Sequence, residues 1–173
     1  STGVRASRDW QLDTCPTQWL WLVDDDVVLN CECLQAYMRA DACQGLFDLN
    51  ELGFFAGSKC DVNNRRGYAG FSTAVQRRSS LTPTSNHSLV YDVSDCWDCA
   101  EVTQVLDTGN CMLHIPVIRK AGCRFSQPGC EFNSSGDATM FSLVLAKAGL
   151  KGLFCPSAQA FHLEKAGVGF SEF

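Results

Sequence analysis

At 173 residues, 46% hydrophobic and 19% charged, the chain is long enough for one globular domain with a sizeable core, and its composition gives no sign of disorder. A formal charge of −5 without any Lys/Arg-rich stripe argues against non-specific nucleic-acid binding, since Arg65-Arg66 and Arg77-Arg78 are isolated pairs. No apolar run approaches the roughly 20 residues a membrane-spanning helix needs, and no signal-peptide pattern opens the chain.

From the start of the chain, Val4 to Leu12 carries apolar or small residues at helical spacing, with Arg5 and Arg8 one turn apart on a shared face. That face suits either phosphate or plain solvent. Asp13-Thr14-Cys15-Pro16-Thr17 ends the helix, because proline disfavours helical geometry in the residue before it. Next comes Trp19-Leu20-Trp21-Leu22-Val23-Asp24-Asp25-Asp26-Val27-Val28-Leu29, in which three adjacent carboxylates stand between two apolar runs. A short continuous apolar run reads as a strand buried on both faces, and the abrupt change to acid reads as its tip reaching solvent. Three carboxylates in a row repel one another unless a cation or basic ligand offsets the charge. Carboxylate oxygens suit Mg²⁺ or Mn²⁺, so metal binding ranks ahead of an exposed acidic turn.

Cys33 to Ala42 reads as a helix whose inward stripe is Leu34, Tyr37 and Met38 with the neighbouring alanines. Leu52 to Gly57 reads as a short buried strand. Residues 61–88 turn rich in Asn, Arg, Gly, Ser, Thr and Pro, a long polar loop expected near the site as a lid or acceptor-binding element. Val102 to Leu106 has strand character and leads into Asp107-Thr108-Gly109-Asn110, after which an apolar run resumes at Cys111. Asp-Thr-Gly after apolar residues partly matches the aspartic-protease signature, but Asn110 stands where Ser or Thr belongs and no second copy exists; a turn is the stronger reading. Pro116 to Gly122 reads as a short helix with basic residues in its last turn and a glycine stop. Ala138 to Gly149 reads as an amphipathic helix opened by Asp137, which serves there either as a cap or as a general base. Gly152 to Pro156 reads as a strand, followed by Ala160-Phe161-His162-Leu163-Glu164, where His162 is either a core-edge histidine or a third metal ligand.

Eleven cysteines leave at least one thiol unpaired. Cys31-Glu32-Cys33 and Cys96-Trp97-Asp98-Cys99 make a poor zinc pair, since neither the C-x-C nor the gap between them is a zinc-ribbon spacing. Cys111, Cys123 and Cys155 sit in apolar surroundings and read as small core residues. Asn86-His87-Ser88 and Asn133-Ser134-Ser135 match the N-glycosylation pattern, which with the cysteines leans towards a secretory or Golgi compartment over a cytoplasmic one.

Taken together, an apolar strand ending in Asp24-Asp25-Asp26, a Thr108-Gly109-Asn110-Cys111-Met112-Leu113 segment followed by a short helix, a loop acid opening a helix that ends in Ala-Gly, and a strand with Pro156 closing on Phe161-His162 resemble the nucleotide-sugar-dependent glycosyltransferases of the GT-A fold. The resemblance covers residues 1 to about 165 and implies a single α/β domain over residues 1–173. Its sheet is expected to be Rossmann-like, mixed, mostly parallel and flanked by helices. It further implies a hexosyltransferase moving a sugar from a nucleoside-diphosphate donor, a UDP-sugar, to an acceptor hydroxyl on a glycan, protein or small molecule, with inversion. In that resemblance Asp24 and Asp26 look like the D-x-D pair and His162 completes coordination of Mn²⁺ or Mg²⁺. Asp137 looks like the base, and Arg5, Arg8 and Asp25 lie towards the donor phosphates. Thr108, Gly109 and Asn110 look like the segment lining acceptor and donor sugar. The triple Asp and Phe161-His162-Leu163-Glu164 are closer to fringe-like β-1,3 transferases; Gly109 to Leu113 and the loop acid are closer to the broad inverting family. Two departures stand: Gly136 occupies the place of a Glu before the base, and the family's base-binding first strands normally precede the segment where this chain begins. They support a rival reading, a catalytically silent GT-A-like module that binds a glycan or partner protein.

Overall fold

The computed structural model describes residues 2–42, 50–61, 101–103, 106–127 and 137–162. The expected polar loop beyond Asp61, Cys96 and Cys99, both glycosylation patterns and Leu163-Glu164 lie outside them. In chain order the elements are α1 (Thr2–Thr14), β1 (Trp19–Val23), β2 (Val27–Leu29), α2 (Cys33–Ala42), β3 (Leu52–Asp61), β4 (Glu101–Thr103), β5 (Asn110–His114), α3 (Ile115–Lys120), α4 (Asp137–Lys147) and β6 (Lys151–His162).

The six described strands form one mixed sheet in the order β1-β5-β3-β6-β2, with β4 also paired to β6. The expectation of a mostly parallel sheet needs correcting, because among the described strands only β3 and β6 run parallel. Burial on both faces requires helices on both faces, and it does not set strand direction. β5, buried at every position, shows this: it is antiparallel to both of its neighbours.

One core lies beneath α1, α3 and α4, where Leu12, Ile118, Phe141 and Leu145 meet Leu22, Phe54, Leu113 and Phe154. The other lies beneath α2, where Cys33, Ala36, Tyr37 and Ala40 meet Phe55, Met112, Leu153 and Cys155. The inward stripe of α2 therefore keeps Tyr37 and the neighbouring alanines of the expected set and takes Cys33, while Leu34 and Met38 are 48% and 55% exposed. Tyr37 belongs to both candidate stripes, and the small side chains at 33, 36 and 40 let the helix axis come close to the sheet.

Helix ends follow their local chemistry. α1 stops before Pro16, and its free carbonyls are taken by Arg119, whose Nε donates to Leu12 O at 2.7 Å and whose Nη2 donates to Asp13 O and Cys15 O at 2.9 and 2.8 Å. α3 and α4 both close in Schellman motifs. Gly122 and Gly149 adopt φ of 68° and 78°, and the paired bonds are Gly122 N–H to Arg119 O with Cys123 N–H to Ile118 O, and Gly149 N–H to Ala146 O with Leu150 N–H to Leu145 O.

The two short runs expected near the C-terminus are one strand with an insertion. Gly57 pairs with Cys155 and Ser58 with Gln159, so Pro156, Ser157 and Ala158 bulge out of the β3–β6 ladder. Asn110 closes the bulge, its amide donating to Ser58 O at 3.1 Å and Ala158 O at 2.8 Å. The bend it stabilises has a consequence for β1 and β2, which stand at opposite ends of the strand order. Val23 and Val27 are four peptide steps apart, a reach of about 15 Å. Four strand spacings in a flat sheet would need about 19 Å. The sheet is therefore coiled, and Asp24, Asp25 and Asp26 form the short bridge that joins its ends.

Candidate functional site

The acidic bridge is anchored on both sides. Asp24 N–H donates to Gly109 O at 3.3 Å, which sets the first carboxylate beside the Asp107-Thr108-Gly109 turn. At the other side Val27 pairs with His162, and His162 pairs in turn with Asp61, so the ends of β2, β3 and β6 meet at this point. Asp24 and Asp26 are half-buried and Asp25 is exposed. Backbone pairing thus brings His162 next to the residue that follows Asp26. Asp61, at the same level of the sheet, attracted no notice in the sequence because it opens a polar loop.

A pocket of about 390 Å³ lies beside the bridge, between one face of α1 (Gly3, Val4, Ser7, Arg8, Gln11) and the stretch from Leu20 to Asp24, with Thr108 also in its lining. Arg8 is the cation in this lining. Its Nη2 donates to Thr108 Oγ1 at 3.1 Å, and its guanidinium lies 5.4 Å from the centre of the Phe125 ring. Arg8, Asp24 and Thr108, far apart in sequence, therefore share one cavity. Arg5 is half-buried on α1 and does not line it.

Asp107 shapes its own turn. Its Oδ1 accepts from Gly109 N–H at 2.8 Å and its carbonyl accepts from Asn110 N–H at 3.2 Å, the turn reading of the Asp-Thr-Gly sequence. Thr108 is 7% exposed and reaches the pocket. Asn110 does not: it is fully buried, and its side chain is used internally. Besides the two bulge carbonyls, its Oδ1 accepts from Trp21 Nε1 at 3.2 Å and from Tyr37 OH at 2.9 Å. The expected sugar-facing segment is thus split: Thr108 faces the cavity, while Asn110 holds the sheet beneath it. Burial pushes the Tyr37 phenol well above its usual range, so it stays a neutral donor to Asn110.

Asp137 is the first residue of α4. This helix is tied to the site through Ser142, whose Oγ accepts from Leu106 N–H at 3.1 Å and donates to Ala138 O at 2.8 Å. The second turn of α4 therefore stands against Leu106, two residues before Thr108.

For a metal, the donor chemistry on the bridge is oxygen. Among the described residues no group of three or more His, Cys, Asp and Glu surrounds one metal position. Mg²⁺ and Mn²⁺ do not require one, since they are commonly held by one or two carboxylates and complete their shell with substrate phosphate and water. Asp24 and Asp26, two residues apart and half-buried on the bridge, are the carboxylates available for that pattern. Cys31 and Cys33 point to different surroundings: Cys31 is exposed, whereas Cys33 is buried in the core beneath α2 and its thiol donates to Asn110 Oδ1 at 3.7 Å.

No protein-family model matches the chain, and no curated protein is significantly similar to it.

Proposed function

We propose that the chain is the catalytic domain of a metal-dependent glycosyltransferase of the GT-A type, transferring a sugar from a UDP-sugar donor to an acceptor hydroxyl with inversion. The observation that carries this reading is the acidic bridge, with Asp24 bonded to Gly109 on one side and Val27 paired to His162 on the other, beside a pocket that also holds Arg8 and Thr108. Asp24 and Asp26 would hold Mn²⁺ or Mg²⁺, with His162 as the protein's nitrogen donor. When bound, the cation neutralises charge that gathers on a departing diphosphate.

The chain's own residues supply the rest. Arg8 gives the pocket a positive group for a phosphate oxygen. Thr108 fixes that guanidinium and offers a hydroxyl to the pocket. Asp137, at the entrance of α4, accepts the acceptor's proton as attack proceeds from the face opposite the leaving phosphate. Asn110 and Tyr37 keep the floor rigid, so these groups hold their spacing without reorganising at each turnover.

Calorimetric titration of UDP with and without Mn²⁺ tests this. Binding that depends on the metal and is lost in Asp26→Asn is expected; no metal-dependent binding by the intact protein would abandon the reading. The rival, a GT-A-like module that binds without transferring, is favoured by Gly136 in the place of the family's Glu. Metal-dependent UDP binding with no turnover of any UDP-sugar would select it.

A further inference from the structure

We infer that Phe125 is a positioning residue for Arg8, holding the guanidinium at the pocket wall and linking it to the helix that begins at Asp137. The inference rests on the transferase reading for what Arg8 binds, and on local geometry for how Arg8 is held. Phe125 is 3% exposed and follows α3. Its ring stacks on Phe141 with centroids 3.8 Å apart and planes 16° from parallel, while the Arg8 guanidinium lies 5.4 Å from the same ring's centre. Its backbone is fixed as well: the Asp9 carboxylate accepts from Phe125 N–H at 2.7 Å and from Ser126 N–H at 3.1 Å. Adjacent residues of α1, Arg8 and Asp9, thus grip the side chain and the backbone of one turn. Phe141 lies one helical turn beyond Asp137, so a single aromatic pair connects the pocket's cation to the first turns of α4.

The two groups that hold Arg8 here, a phenyl face and the Thr108 hydroxyl, are neutral. Neither contact is a carboxylate paired directly with the guanidinium, so both orient Arg8 without neutralising it, while the Asp24 carboxylate lines the same cavity. An arginine ordered beforehand loses less side-chain freedom on binding, which is the benefit a positioning residue confers.

The test is a double-mutant cycle between Phe125→Leu and Arg8→Gln, read by calorimetric titration of inorganic pyrophosphate and of UDP with Mn²⁺. Phe125→Leu should weaken both ligands by on the order of five-fold, Phe125→Tyr should restore them, and Phe125→Leu should have no further effect once Arg8 is Gln. Should Phe125→Leu fail to fold, Phe125→Met removes the ring at similar volume and gives the same comparison. Equal losses with and without Arg8 would make Phe125 a packing residue only and overturn the inference. A wild type that binds while Phe125→Leu binds equally well removes this inference alone; a wild type that binds neither ligand removes the transferase reading and this one with it.

Discussion

Asn110 shows how much can depend on one buried amide. It satisfies two carbonyls opened by the β6 bulge and accepts from three side-chain donors, Trp21, Tyr37 and the Cys33 thiol. Asn110→Ala removes the amide from all of these groups at once, while Tyr37 OH keeps its bond to the Asn110 carbonyl at 3.0 Å, and a loss of about 2–4 kcal/mol is expected in urea unfolding. A loss under half a kcal/mol would mean water enters and replaces the amide. Gly57 belongs to the same knot: a Cβ there would meet the Asn110 amide, the Tyr37 hydroxyl and Ala158 O, so Gly57→Ala should destabilise despite the usual gain from removing a glycine in a strand. Asp137 is judged by a different readout. If it is the base, Asp137→Asn should lower transfer by about two to four orders of magnitude while leaving UDP affinity unchanged. Loss of folding together with binding would make it a helix cap.

At the scale of elements, α1 matters most because it forms a wall of the pocket, and its C-terminus depends on a residue about a hundred positions away. Arg119→Met keeps the aliphatic stem but leaves Leu12, Asp13 and Cys15 carbonyls without their guanidinium. A stability loss of about 1–3 kcal/mol is expected in thermal unfolding, with earlier amide exchange at the end of α1 than elsewhere in the helix. The bounds of α2, α3 and α4 were legible in the sequence, because proline, glycine and the apolar period act within a few residues. Arg119 was not. Basic residues at a helix end read as serving their own helix, and nothing local says that this one reaches another. The buried face of α2 was misread at two positions for a related reason: size argued for Leu34 and Met38, while the closeness of the sheet, a tertiary fact, selected Cys33 beside the expected Tyr37 and alanines. Strand direction escaped in the same way: an apolar run such as Cys111 to Leu113 reports burial on both faces, not the sense of its neighbours.

Across the whole molecule, the acidic bridge was legible as a strand end because charge changes abruptly at Asp24, but its role in spanning a coiled sheet emerges only from the strand order. Helices on the two faces of this sheet bury thiols on both, Cys111 on one and Cys33 with Cys155 on the other. Burial raises Cys155 to about 12 and Cys33 to about 11 from an ordinary value of 9.0, and raises Cys111 further still. The sign follows from linkage. Below pH 9 these thiols are neutral in both states and their contribution is fully present. Above it the unfolded chain ionises them while the folded protein does not, so stability is lost as pH rises through the folded values. Each such thiol steepens the decline by about 1.4 kcal/mol per pH unit. Urea midpoints measured from pH 8 to 11 under reducing conditions should fall accordingly, and Cys155→Ala should make the fall shallower by one proton's worth. An unchanged slope in that variant would mean the Cys155 thiol ionises as readily in the folded protein as in the unfolded chain. The interior beneath α2 would then be open to hydroxide and water, and the rigid floor assigned to Asn110 and Tyr37 would have to be given up.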